Sequence, residues 1–243
     1  MPDLPILIGT HHKTGTIWMH GTFLRFAEAT GLRLSALSNR GEAPPANIYF
    51  GHHSQFPLEM LRGVFRGLHV IRDPRDIVLS GLHYHRKSDE AWLHFPRPKF
   101  GGLSYQQKLN SIDPDDRFAF ELKNAALWTI EELLMWRYDN PAFHEARYED
   151  LIVDTEGAYF GRVLRFLGFD EAEIRLGTQI FLEMSIFGKT PKGDDPHVRS
   201  GRKGQWKEVY RRRHGKLFVE VFGDCLIRLG YEPDNGWVER LPP

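Results

Sequence analysis

Leu4-Pro5-Ile6-Leu7-Ile8-Gly9-Thr10-His11-His12-Lys13-Thr14-Gly15-Thr16-Ile17-Trp18 is the stretch whose reading decides the fold class. Its first part, residues 4–9, is a short continuous apolar run closed by glycine, the pattern of a strand buried on both faces of a parallel sheet. Beyond the polar turn, Ile17, Trp18, Phe23, Leu24 and Phe26 mark one side of a helix that ends near Gly31. The loop between them lies where free backbone N–H groups and the positive end of a helix attract an anion, and Lys13 adds a full charge. It is not a Walker A loop, because GxxxxGKS/T places Lys directly after the second Gly, whereas Lys13 precedes Gly15. Taken alone, the loop fits an ordinary glycine turn with a solvated lysine equally well.

Working outward, Asn47–Phe50 (NIYF) and Leu68–Ile71 (LHVI) read as further strands. The second runs into Arg72-Asp73-Pro74-Arg75-Asp76, where Pro74 suits a first helical position, and Ile77 to His85 continues as helix. Residues 87–102 (KSDEAWLHFPRPKFGG) have no sustained period and read as a long loop. Asp116 to Tyr138 carries Leu122, Ala126, Ile130, Leu133 and Leu134 at helical spacing, and Phe143 to Tyr148 reads as another strand. Two helical patterns between Gly157 and Phe181 break at Gly168; residues 188–204 are polar and Gly-rich; Trp206 to Leu229 closes as a helix or helix pair interrupted at Gly215 and Gly223. Strands alternating with helices predict an α/β fold with a central parallel sheet flanked by helices. With no repeat and no shift of composition, residues 1–243 are expected to form one domain.

Composition narrows the partners. Lys plus Arg and Asp plus Glu are equal at 32 each, so no long-range field draws nucleic acid or an acidic membrane, and any anion site must be local. The expectation is no nucleic acid and no membrane as partner; the oligomeric state is left open. Cys225 is the only cysteine, which excludes an intrachain disulfide. The start lacks the basic and apolar regions of a leader and no apolar run approaches a spanning length, so a cytoplasmic location is expected.

Two further elements suit anions. Arg72 ends a strand with Ser80 two turns into the next helix, a pair able to fork onto and hydrogen-bond a phosphate; a solvated pairing of Arg72 or Arg75 with Asp73 or Asp76 is the plainer reading. Arg199 to Lys207, containing Arg202-Lys203-Gly204, is a basic, Gly-rich loop opening a helix.

In sequence order, these elements are similar to those of the sulfotransferases that use 3'-phosphoadenosine-5'-phosphosulfate (PAPS). His12-Lys13-Thr14-Gly15-Thr16-Ile17-Trp18 resembles the family's 5'-phosphosulfate loop, Arg72 with Ser80 its 3'-phosphate motif, and Arg202-Lys203-Gly204 its second 3'-phosphate segment. The resemblance implies a P-loop-like nucleotide-binding architecture. It also implies Lys13 at the bridging oxygen, Thr14, Gly15 and Thr16 around the 5'-phosphate, and Trp18, Tyr148, Ser185 and Phe187 about the adenine. Ile17 stands where many relatives have a second Thr, and Gln205 follows Gly204 where they have another Gly. The family's C-terminal dimer motif is not reproduced in Lys207-Glu208-Val209-Tyr210.

The implied activity is transfer of a sulfuryl group from PAPS, as co-substrate, to a hydroxyl or amine of a small-molecule acceptor as partner, leaving 3',5'-adenosine diphosphate (PAP), with no metal. His53, matched to the family's base, follows a strand end where open α/β sheets place their sites, and His52 is the second candidate; Gly51 replaces the family's Lys. Trp92, His94 and Phe95 suggest an aromatic wall for the acceptor. Three alternatives stand beside this reading: a non-catalytic nucleotide-binding regulatory protein, a P-loop-like nucleotide kinase, and a metal site among His11, His12, His52, His53, His83 and His85.

Overall fold

Ile6–Gly9 forms β1, the central strand of a five-stranded, all-parallel sheet whose other strands are β2 (Leu34–Ala36), β3 (Ile48–Gly51), β4 (Arg66–Ile71) and β5 (Phe143–Arg147), in the order β2-β3-β1-β4-β5. Its continuous apolar run is explained by the two faces it meets. Ile6 and Ile8 point into one hydrophobic cluster and Leu7 into another, all fully buried.

The structure is a computed structural model that describes residues 4–37, 43–185 and 202–243. In chain order these form β1, α1 (Thr16–Thr30), β2 (Leu34–Ala36), β3 (Ile48–Gly51), α2 (Leu58–Arg62), β4 (Arg66–Ile71), α3 (Pro74–His85), α4 (Tyr105–Ser111), α5 (Pro114–Leu122), α6 (Ala125–Met135), β5 (Phe143–Arg147), α7 (Tyr148–Leu151), α8 (Ala158–Phe166), α9 (Glu171–Met184), α10 (Trp206–Val209), α11 (Arg212–Phe222) and α12 (Cys225–Arg228). The chain groups into two compact units, residues 1–72 with 136–189, and residues 73–135 with 190–243.

The first unit holds the whole sheet. One face is covered by α1, α8 and α9 through Phe23, Phe26, Phe160, Leu164 and Phe181, and the other by Phe56, Phe65 and Phe143 with Met60 and Leu61 of α2. The connections after β1 lead toward β2, and the connection after β4 leads to β5, so the strand order reverses between the adjacent β1 and β4. Open α/β sheets bind ligands at such a reversal, beyond the carboxyl ends of the strands.

The second unit is helical, packed around Phe118, Ile130, Trp206, Tyr210, Phe218 and Trp237. Arg75 is 2% exposed within it: its guanidinium pairs with Asp73 and Glu232 at 2.8 and 2.6 Å and lies 3.6 Å from the centre of the Trp206 ring. No helix of the described residues is long and apolar enough to cross a membrane.

Several expected elements take a different form. The helix read over 116–138 is two, α5 and α6, parted near Lys123 without a Gly or Pro to announce the break. The closing helix or pair is three helices. Gly223, at φ 56, ends α11, but Gly215 lies inside it, where a Cβ would stand 2.7 Å from Leu241 Cδ1; that glycine serves close packing, not interruption. The long loop 87–102 contains single 3₁₀ turns at Ala91–Leu93 and Pro98–Phe100. The strand read through Tyr148 stops at Arg147, and Tyr148 begins α7.

Candidate functional site

At the carboxyl end of β1 the chain folds into a tight loop around one acceptor. The His11 carbonyl accepts from Thr14 N at 3.1 Å, Thr14 Oγ1 at 2.9 Å and Thr16 Oγ1 at 2.7 Å, and Thr14 Oγ1 accepts in turn from His11 N at 2.9 Å. The two threonine hydroxyls thus shape the loop, and Thr14 is fully buried. Two residues adopt left-handed backbone conformations, Lys13 at φ 65 and Gly15 at φ 100. Gly15 is required twice over, because a Cβ there would also stand 3.1 Å from the Tyr148 ring. It caps α1, a 15-residue helix, with no side-chain acceptor, the setting in which a helix start receives an anion.

Arg72 leaves β4 on the other side of the reversal and meets this loop. Its Nη1 donates to the Lys13 carbonyl at 2.9 Å and its guanidinium lies 4.4 Å from the centre of the Tyr148 ring. The residue is 6% exposed, and its Nε is buried without an acceptor among the described residues. A buried guanidinium N–H with no partner costs free energy unless an acceptor reaches it. Trp18 is 6% exposed; it stacks on Phe181 at 4.7 Å, and its Nε1 donates to the Phe181 carbonyl at 3.4 Å. Ser185, at the end of α9, is buried and donates to the Leu182 carbonyl at 2.6 Å. Phe187 lies outside the described residues.

His52 and His53 follow β3, so they too stand at the carboxyl edge of the sheet. His53 is exposed and His52 half-buried, with its ring 5.4 Å from His20 of α1 and 5.1 Å from Phe50. Burial first, then the neighbouring His20 and His53, hold the His52 imidazole below its usual range. It is therefore neutral at pH 7 and able to accept a proton.

In the second unit, Ser80 lies half-buried on α3. Arg202 and Lys203 are exposed, whereas Gly204 is fixed: Gly204 N and Trp206 N donate to the two carboxylate oxygens of Asp76, at 2.7 and 2.9 Å. The sequence shows Asp76 only as a partner on a solvated helix start, yet it is 1% exposed and anchors the basic loop. Arg75 with Asp73 is the pairing the plain reading offers, formed in the interior. Trp92 packs on Tyr105 at 5.2 Å and donates to Glu90 at 2.6 Å, while Phe95 is exposed.

Sequence reasoning did not reach a buried line beside the loop. Glu145 Oε2 lies 2.5 Å from His69 Nδ1, and His69 Nε2 lies 2.9 Å from His11 Nε2. Trp136 stacks on His69 at 4.0 Å and donates to Glu145 Oε1 at 2.8 Å. Glu145, His69 and His11 are far apart in sequence, and the register of β1, β4 and β5 brings them together. Among the described residues, no group of three or more His, Cys, Asp or Glu is placed to hold a metal ion.

A five-stranded parallel sheet with an anion-type loop after its central strand defines a P-loop-like α/β protein. The sulfotransferase domain model matches residues 50–229, and the chain belongs to the sulfotransferase family. The Lys13 loop precedes the matched segment. Among solved structures the chain is similar to a mouse sulfotransferase, SULT7A1, complexed with PAP, at 15% identity and TM-score 0.65 over 99% of this chain and 88% of that one. It is also similar to retinol dehydratase in complex with androsterone and inactive cofactor PAP, at 17% identity and TM-score 0.55 over 93% and 82% of the two chains. A second retinol dehydratase structure, with retinol and PAP, matches at 17% identity and TM-score 0.54 over the same shares. Comparison with curated protein sequences gives no match.

Proposed function

We propose that the protein transfers a sulfuryl group from PAPS to a hydroxyl or amine of a small-molecule acceptor, with a histidine as general base. The observation that carries this reading is the buried Arg72 Nε, without an acceptor among the described residues, beside the Lys13 loop where the strand order reverses. A phosphate oxygen is the acceptor that suits a guanidinium there. The complexes of the similar structures with PAP, one with androsterone and another with retinol, support a nucleotide donor and a small acceptor.

On this reading Lys13, Thr14, Gly15 and Thr16 hold the 5' side of the donor, Lys13 stabilising the charge that develops on the departing oxygen. Trp18, Tyr148, Ser185 and Phe187 bound the adenine, and Arg72 grips the 3'-phosphate. The family resemblance assigns Ser80, Arg202, Lys203 and Gly204 to the same phosphate. PAPS supplies the activated sulfuryl group and a stable bisphosphate leaving group. His53 accepts the acceptor's proton; His52, neutral at pH 7, is the second candidate.

Isothermal titration with PAP, beside ATP with magnesium, tests the donor. PAP is expected to bind, and Lys13→Ala and Arg72→Ala to abolish binding; binding of ATP alone overturns the reading in favour of a kinase. His53→Ala is expected to lower kcat by roughly 10²- to 10⁴-fold while PAP affinity holds. If His52→Ala alone has that effect, the base is His52; if neither does, the histidine base is wrong.

A further inference from the structure

The line Glu145–His69–His11 joins β5, β4 and the anion loop inside the first unit. The His69 side chain is 0% exposed and Glu145 27%, so solvent reaches the line from its Glu145 end. Two imidazole nitrogens 2.9 Å apart must share one proton, since paired lone pairs or paired N–H groups repel at that distance.

The hydrogen bonds can then run in either of two directions. With Glu145 ionised, His69 Nδ1–H donates to the carboxylate, His69 Nε2 accepts, and His11 Nε2–H donates. With Glu145 protonated, its O–H donates to His69 Nδ1, and His69 Nε2–H donates to His11. The two states differ by one proton, and the net charge of the line passes from minus one to zero without an imidazolium in the core. Burial supports both ends of this description: it raises the Glu145 carboxyl to about 7 and lowers His69 to about 3.

The ionised state is supported by the Trp136 indole N–H at Glu145 Oε1 and by the neighbouring His144 and His11. Other titratable groups around the line include His144 beside Glu145 on β5, with Arg162 of α8 acting on it, and Tyr138, whose ring centre is 5.9 Å from that of His69. A polyanion bound in the loop that His11 opens raises the free energy of a carboxylate joined to that loop through His69 and His11. The protonated state is then favoured.

We propose that the Glu145–His69–His11 line is the proton-accepting element of the anion loop, so that a bisphosphate entering the loop brings one proton into the line. This rests on the loop being the donor site. His69 and Glu145 act as positioning residues, since they set the hydrogen-bond direction of His11 and the charge of the line without touching the ligand.

Titration calorimetry of PAP at pH 7.5, in buffers of different ionisation enthalpy, reads the proton count directly. PAP's own phosphate titration is common to wild type and Glu145→Gln and drops out of their difference. Wild type is expected to take up more protons per PAP than the variant, by a shift approaching one. Its affinity should also fall between pH 7 and 9 by up to about tenfold per unit, while the variant's stays level. Equal proton uptake in the two overturns the inference and leaves the donor site standing; absence of PAP binding to wild type overturns both. Should Glu145→Gln fail to fold, nitrogen-15 shifts of the His11 and His69 rings in wild type decide: reversal of the His69 tautomer on adding PAP supports the proposal, and unchanged shifts overturn it.

Discussion

Gly15 and Asp76 are two residues whose importance comes from what their surroundings refuse. At Gly15 any side chain meets both a left-handed backbone and the Tyr148 ring, so Gly15→Ala is expected to destabilise the protein by roughly 1–2 kcal/mol and to weaken PAP binding, read by urea unfolding and calorimetry. Asp76→Ala removes the carboxylate that accepts from both Gly204 N and Trp206 N; stranding those donors should cost about 2 kcal/mol or more. An Asp76→Ala protein with wild-type urea midpoint would show that the 204–206 turn does not depend on this carboxylate. The placement of Lys13, Gly15 and Arg72 just beyond strand ends was legible because spacing relative to a strand end is local information. Asp76 was not, since a carboxylate in a helix's first turn looks the same in sequence whether it faces water or, as here, a backbone 128 residues away.

Among the elements, β1 with its loop and α1 was legible because an apolar run closed by glycine and followed by helical spacing has few other solutions. The edge strand β2 was missed: Leu34-Ser35-Ala36 is three residues long and has no pattern of its own, its partner β3 supplying the pairing. Helices α2 and α4 are too short to show a period. The β4–β5 pairing hides a further constraint at Gly67. Alanine ordinarily strengthens a strand relative to glycine, but here a Cβ would fall 2.3 Å from the Phe143 ring, which Phe56, Phe65 and Trp136 confine. Gly67→Ala is expected to lose about 1–3 kcal/mol by overcrowding; a gain in thermal midpoint would show that the ring yields freely.

Over the whole molecule, acidity should act mainly through imidazoles. Burial holds His20, His52, His69, His144 and His214 below 6.5, so the unfolded chain takes up protons there that the folded chain does not. Stability is therefore present above pH 6.5 and lost as pH falls below it. Glu145, raised from 4.5 to about 7, works in the opposite sense over that interval, but it is one group against five. Urea midpoints are expected to drop from pH 7.5 to 5; constant or rising midpoints would mean that these histidines titrate as freely in the folded protein as in the unfolded one.

Lys13 holds its ammonium on a backbone conformation that a side-chain-bearing residue adopts at a cost of roughly 1–2 kcal/mol. Evolution could have relaxed that turn with glycine, as it did two residues later. Lys13→Gly should accordingly melt at a higher temperature than wild type while failing to bind PAP, so that a library screened for heat resistance alone would select the inactive protein.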